Sequence, residues 1–303
     1  MTRKSSRVLI IGYGEMGLAM QHLLGDRHEL VFYDNRPIKG LEPVDLEDEA
    51  SRADFVILCV PTQPHREILS TLLPFLQKDC ICLSIAKGLD DEGKTPAQIY
   101  AEVFGEDQAY CLLYGPMISE EIRAGRDGFA DLGCSDASTF QKVQALYSGS
   151  RLHIRESRDI TGFSWAVILK NVYAMAFGMA DELELGDNVR GFLAVTAQQE
   201  LSAIVHAMGG NASTPLHLAG LGDLITTATS AGSHHHELGQ KLARGDLTGI
   251  SGEGAHTLQM VEKHQLFDTS KFPLFSLIRG IVRNPENVSG KFRAYLEGLD
   301  SQA

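Results

Sequence analysis

The chain has 303 residues, 44% of them hydrophobic and 22% charged, with a formal net charge of -12. This is the balance of an ordinary soluble globular protein, long enough for two domains and a sizeable core. The acidity argues against a nucleic-acid binder and leaves room only for a local basic pocket that takes a small anion.

The first residues, MTRKSSRVLIIGYGEMG, combine basic residues with an apolar run as a secretory signal does. That run is short, and GYGEMG cannot continue a hydrophobic region, so secretion is not expected. From there RVLIIG, ELVFYD, DFVILCVP, CICLSIAKG and YCLLYGP follow as short continuous apolar runs separated by helical or loop-like stretches. Strands buried on both faces read this way, and their alternation with helices predicts a parallel, doubly wound α/β sheet of the Rossmann type. FADLGCS and SRLHIRES, on either side of the helical ASTFQKVQALYS, are placed to finish the sheet. Four of the five cysteines (Cys59, Cys80, Cys82, Cys111, Cys134) lie inside apolar runs and read as small core residues. No C-x-x-C spacing occurs, which suits a reducing, cytoplasmic setting.

After about Arg158 the character changes. The apolar residues of FSWAVILKNVYAMAFGMADELEL and FLAVTAQQELSAIVHAMGG recur at helical spacing. We therefore expect a dinucleotide-binding Rossmann domain over 1–158 and an all-α substrate-binding domain over 159–303. Gly209 and Gly210 mark a helix end, and STPLHLAGLGDL is a turn-rich segment before the next helices. Lys170 and Asn171 interrupt the most apolar stretch before it reaches membrane-spanning length, so no anchor is expected.

VLIIGYGEMGLAMQHLL sets Gly12, Gly14 and Gly17, with Glu15 and Met16 between them, at a strand-to-helix turn. Glycines there permit a tight turn, close approach of backbone to a pyrophosphate and close packing of helix on strand, while the helix N-terminus supplies amides. The pattern alone is weak; Asp34, ending the second strand where a ribose-binding carboxylate belongs, strengthens it. Asp34 suits the hydroxyls of NAD and repels a 2′-phosphate, whereas Arg36 can reach one, so NAD is favoured and NADP stays open. CVPTQ, which contains Pro61, and AKGL, which contains Lys87, fall at carboxyl ends of later strands, the side on which open α/β sheets bind ligands.

Lys170 poses a separate problem. Its neighbours one helical turn away, Ala166, Val167, Tyr173 and Ala174, are apolar or aromatic, and an unpaired buried charge costs several kcal/mol. Either the side chain snorkels to water or a polar partner receives it.

GYGEMG, SIAKGL, ILKNVYAMAFGMADELELGDNVRGFL and GLGDLITTATSAGSHHHELG, in this order through nearly the whole chain, resemble NAD(P)-dependent glycerol-3-phosphate dehydrogenases. YGPMISEEI and SGEGAHT add weaker matches. The resemblance implies a Rossmann domain, a helical C-terminal domain, a homodimer without nucleic-acid or membrane partners, and reduction of the phosphorylated triose dihydroxyacetone phosphate. This places the chain in glycerol-3-phosphate metabolism, ahead of phospholipid biosynthesis. By motif it assigns Lys170 as the catalytic lysine facing a cleft, Lys87 as a second substrate-facing lysine, and Asn171, Asp223 and Thr227 as the rest of the polar site. Cofactor contacts would come from the glycine turn, Asp34, Arg36, Pro61, Lys87, Ser119 and Glu253, and substrate contacts also from Gly115, Met117, Ser233, His234 and His235. Chemistry agrees for Lys170: hydride arriving at a ketone carbon leaves charge on oxygen, which a fixed ammonium stabilises and protonates.

Two positions depart from the family. An arginine and an asparagine that grip the substrate phosphate are replaced by His234 and His235, and a serine by Met117. Three readings of SHHHELG follow: Ser233 caps a helix whose amides and partly protonated histidines hold the phosphate; the pocket takes another small keto substrate, as ketopantoate reductases and 3-hydroxyacid dehydrogenases of this plan do; or the histidines bind metal, against which the spacing speaks. A nucleotide sensor without turnover is a further alternative, but it has no need of a proton-donating lysine.

Overall fold

The computed structural model describes residues 5–301 except Ser135, Ala231 and Leu247. The first four residues of the signal-like start, the last residue of FADLGCS and one residue of TSAGS thus lie outside the described residues. The chain divides into two compact units, Met1–Ser164 and Trp165–Ala303.

In the first unit the apolar runs become β1 (Arg7–Ile11), β2 (Glu29–Tyr33), β3 (Phe55–Leu58), β4 (Ile81–Ser84), β5 (Tyr110–Tyr114), β6 (Gly128–Cys134) and β7 (Leu152–Ser157). The helices α1 (Glu15–Leu24), α2 (Leu46–Arg52), α3 (His65–Leu72), α4 (Pro96–Phe104), α5 (Ser119–Arg123) and α6 (Ala137–Leu146) alternate with them. The strands form one sheet in the order β2-β1-β3-β4-β5-β6-β7. Every pairing is parallel except β5 with β6. All residues of β3 and β4 are buried, because helices cover both faces of a parallel sheet and leave no polar alternation. Cys80, Cys82, Cys111 and Cys134 are buried as core residues. The order reverses between β1 and β3, and ligands of open α/β sheets bind outside the carboxyl ends of strands at such a switch point.

The second unit is helical. It takes over α7 (Ile160–Glu182) from Trp165 and continues with α8 (Asp187–Ala207), α9 (Asp223–Thr229), α10 (His234–Arg244), α11 (Glu253–His264), α12 (Pro273–Arg283) and α13 (Val288–Glu297). The expected interruption at Lys170 does not occur: α7 runs for 23 residues and is long and apolar enough to cross a membrane by composition, yet 89% of its most apolar window is buried within the protein. It is a core helix, apolar all round because it is surrounded. The turn-rich segment after Gly210 contains a 3-10 turn at Thr214–Leu216 and a π-turn at Leu218–Gly222 that runs directly into α9. Buried Glu200 of α8 accepts from the Leu274 and Phe275 amides at 2.7 and 2.9 Å, and from the Tyr173 hydroxyl at 2.9 Å. A carboxylate from a different helix thereby satisfies the open amides at the start of α12.

Candidate active site

In the first unit the glycine turn follows β1 at the switch point. Gly12 has φ +98°, and a Cβ there would sit 2.7 Å from the Cys59 carbonyl oxygen. A Cβ on Gly17 would overlap the Gly12 carbonyl oxygen, whereas at Gly14 nothing among the described residues lies within 4 Å. The turn therefore brings α1 tight against the strand end while its middle backbone faces open space, which fits a pyrophosphate approaching the first amides of α1.

Asp34, just past β2, braces the turn. Its carboxylate accepts from the Tyr13 amide at 2.8 Å and the Arg36 amide at 3.0 Å. Partial burial pushes its pKa up, but the two amides and the nearby Arg36 guanidinium outweigh this and hold it below the ordinary value. The Arg36 side chain is 85% exposed, its Nε 3.8 Å from Asp34 Oδ1. A pocket of about 320 Å³ beside them is lined by Phe32, Asp34, Arg36, Ile38, Leu41 and Val44. Glu15, in the first turn of α1, accepts from Arg123 at 2.7 Å and from Ser119 at 3.2 Å, so Ser119 is tied to the glycine turn through Glu15.

At the ends of β3 and β4, buried His65 joins two loops. Its Nδ1–H donates to the Pro61 carbonyl at 2.9 Å, its Nε2 meets Ser84 Oγ at 2.8 Å, and that hydroxyl accepts from the Ala86 amide at 3.1 Å. Burial drives the His65 pKa down to about 4. Sequence reading overlooked His65, although it is a histidine inside an apolar helix face. Beyond Ala86, Lys87 donates to the Gly115 carbonyl at 3.3 Å. Gly115 follows β5 with a Cβ-excluding approach to the Phe129 carbonyl oxygen. Met117 is only 6% exposed and belongs to the apolar core of this unit.

In the second unit Lys170 is 4% exposed, and its ammonium does not reach bulk water. It lies 3.1 Å from Asp223 Oδ2 and donates to Thr227 Oγ1 at 2.6 Å. Thr227 in turn donates to the Asp223 carbonyl at 2.7 Å. Because Asp223 opens α9 and Thr227 follows one turn later, both face the same side of that helix and meet the lysine from α7. Asn171 is buried beside it at 2% exposure.

Ser233 caps α10 by accepting from the His236 amide at 3.3 Å. The three histidines then part. His234 Nε2–H donates to the Ser251 carbonyl at 2.8 Å, His235 Nε2 accepts from the Gly254 amide at 3.3 Å, and His236 Nε2–H donates to Asp181 at 2.7 Å. They do not converge on one point. Glu253 opens α11, with Oε2 buried and lacking a hydrogen-bond partner among the described residues, and burial raises its pKa to about 7.

A doubly wound sheet with a glycine turn at its switch point, followed along the chain by helices that enclose a lysine–aspartate pair, defines a two-domain nicotinamide-dependent dehydrogenase. Residues 37–139 match the N-terminal family and residues 159–291 the C-terminal family of NAD-dependent glycerol-3-phosphate dehydrogenase. The chain belongs to this family of NAD(P)-dependent oxidoreductases. It is 26% identical to the glycerol-3-phosphate dehydrogenase [NAD(P)+] of Bacillus velezensis, covering 93% of this chain and 91% of the relative. It is 31% identical to that of Moorella thermoacetica, covering 84% and 77%. The crystal structure of glycerol-3-phosphate dehydrogenase from Coxiella burnetii shares the fold, with a TM-score of 0.83 at 20% identity over 97% of this chain and 99% of that one. These findings favour the phosphotriose family over the ketopantoate and hydroxyacid reductases of similar plan. The glycine turn and Asp34 lie ahead of the N-terminal match, which begins at residue 37.

Proposed function

We propose that this chain transfers a hydride between NAD(H) and the dihydroxyacetone phosphate/glycerol 3-phosphate pair. One observation carries the reading: Lys170 is buried and held by Asp223 at 3.1 Å and Thr227 at 2.6 Å. A family relationship explains the fold, but a lysine ammonium removed from water inside an apolar helix requires a use for its charge or its proton.

When bound, the nicotinamide supplies the hydride. Lys170 stabilises the negative charge that grows on the carbonyl oxygen and delivers the proton that makes the alcohol. Asp223 offsets the ammonium's charge and, with Thr227, fixes its direction. Asn171 and Lys87 orient the substrate. The glycine turn and the first amides of α1 hold the pyrophosphate, and the pocket beside Asp34 takes the adenosine. With its carboxylate kept ionised by two amides, Asp34 favours the ribose hydroxyls of NAD over a 2′-phosphate, while Arg36 extends into solvent. The family's homodimeric state and cytoplasmic setting belong to the same proposal.

Purified protein assayed for NADH and NADPH oxidation against dihydroxyacetone phosphate, dihydroxyacetone and ketopantoate tests it. Turnover is expected with the phosphotriose and faster with NADH, and Lys170→Ala should lower kcat by about 10²–10⁴-fold, the usual contribution of a positioned acid. Activity of Lys170→Ala equal to wild type, or preference for ketopantoate, overturns the assignment.

A further inference from the structure

The family's phosphate-gripping arginine and asparagine are absent, and the imidazoles in their place are already engaged. A carbonyl only accepts, so the His234 bond to Ser251 requires the proton on Nε2. An amide only donates, so the Gly254 bond leaves His235 Nε2 as a bare acceptor. Each outer ring nitrogen is thus committed to the chain at positions 251–254.

The segment is built to receive the rings. Gly252 has φ +132°, and a Cβ there would stand 2.8 Å from His234 Nε2. A Cβ on Gly254 would stand 3.1 Å from His235 Cδ2 and 2.8 Å from the Asn171 carbonyl oxygen. A side chain at either glycine would displace an imidazole or the backbone. The residue between them is Glu253, whose buried Oε2 has no hydrogen-bond partner among the described residues. Gly252 provides no side-chain cap for α11, and the Gly254 amide in the first turn of that helix is received by His235 at the start of α10.

We propose that His234 and His235 are positioning residues for Glu253: they clamp the Gly252–Gly254 segment to the first turn of α10 and set the carboxyl that meets the cofactor, instead of contacting the substrate phosphate. This rests on the dehydrogenase reading for Glu253 as a cofactor contact.

Fluorescence titration with NADH, which needs no turnover, is combined with the KM for dihydroxyacetone phosphate in His234→Ala, His235→Ala, Glu253→Gln and the double variants with Glu253→Gln. Each histidine variant is expected to weaken NADH binding about 2- to 10-fold, the weight of one hydrogen bond, with the KM for dihydroxyacetone phosphate unchanged. In the Glu253→Gln background the same changes should have no further effect on NADH affinity, because the histidines act through that carboxyl. His235→Gln, whose side-chain oxygen can accept from the Gly254 amide, should restore NADH binding and stands in for the alanine variant where that does not fold. A raised KM for dihydroxyacetone phosphate with unaltered NADH affinity overturns the proposal in favour of phosphate contact. Lowered thermal stability with unaltered NADH affinity overturns it in favour of a purely structural tie, and additive losses in the Glu253→Gln background show that the histidines do not act through Glu253. If the wild type binds NADH but reduces no phosphotriose, the substrate assignment fails while the titrations still decide the clamp.

Discussion

At the scale of single residues, Lys170 and Asp223 are 4% and 3% exposed, so the ammonium takes from the Asp223 carboxylate and the Thr227 hydroxyl part of what water would otherwise supply. Removing one partner of such a pair leaves a buried charge unmatched and costs about 3–5 kcal/mol, whereas replacing both with apolar groups of similar volume is close to neutral or stabilising. Lys170→Met should therefore lower the unfolding free energy by roughly that 3–5 kcal/mol. Lys170→Met combined with Asp223→Leu should recover most of the loss while remaining inactive. Urea unfolding of both variants beside a turnover assay checks this; a double variant no more stable than Lys170→Met would mean that the two charges are not energetically coupled. Lys170 was legible in the sequence because a lone cation in an apolar helical run has few places to go, and Asp223 entered through the GDLITT resemblance. The hydrogen bonds of His234 and His235 were not legible. Their partners are the backbone carbonyl of Ser251 and the backbone amide of Gly254, groups that every residue carries and no side-chain pattern announces.

Elements show the same contrast between what patterning reveals and what it conceals. Strands β1 to β5 read directly, since a strand buried on both faces must be continuously apolar. The crossing of α7 and α10 did not. Gly178 of α7 and Gly239 of α10 read as mildly unfavourable glycines within helices. In the fold a Cβ on Gly178 would overlap the His236 carbonyl oxygen, and a Cβ on Gly239 the Met175 carbonyl oxygen. The two backbones lie too close for any side chain between them, and neither stretch of sequence names the other as its neighbour. Gly178→Ala and Gly239→Ala should each destabilise by about 1–3 kcal/mol or more through overpacking, despite alanine's better helix propensity. The double variant should lose less than the two losses added, because once the helices have parted for the first methyl the second meets less resistance. Unfolding free energies of the three variants test this, and a neutral or stabilising Gly178→Ala would show that the crossing is looser than drawn. Because α10 begins with the histidines, the same substitutions should also weaken the clamp on Gly252–Gly254.

Over the whole molecule, two buried groups tilt the pH dependence of stability in opposite directions. His65 has its pKa lowered from 6.5 to about 4 by burial. Between those values the unfolded chain binds a proton that the folded protein refuses, so this contribution is intact above pH 6.5 and lost as pH falls through about 4. Glu253 has its pKa raised from 4.5 to about 7. In its window the folded protein holds a proton that the unfolded chain has released, so this contribution is intact below pH 4.5 and lost as pH rises through about 7. Each is worth on the order of 3 kcal/mol across its full window, and from pH 4.5 to 6.5 they oppose one another. The two contributions are therefore read from each variant's difference from wild type, in which the other titrating groups cancel. His65→Gln, which cannot titrate, should lose stability relative to wild type as pH rises from 4 to 6.5, the window in which the His65 contribution grows. Glu253→Gln should gain stability relative to wild type as pH rises from 4.5 to 7, the window in which the Glu253 contribution is lost. Glu200, also raised by burial, adds a slope of the Glu253 sign to all three proteins and cancels when each variant is compared with wild type. Urea titrations at half-unit steps of pH settle the matter, and profiles of wild type and Glu253→Gln that run parallel from pH 5 to 8 would show that the Glu253 carboxyl is not buried in the folded protein as the structure has it.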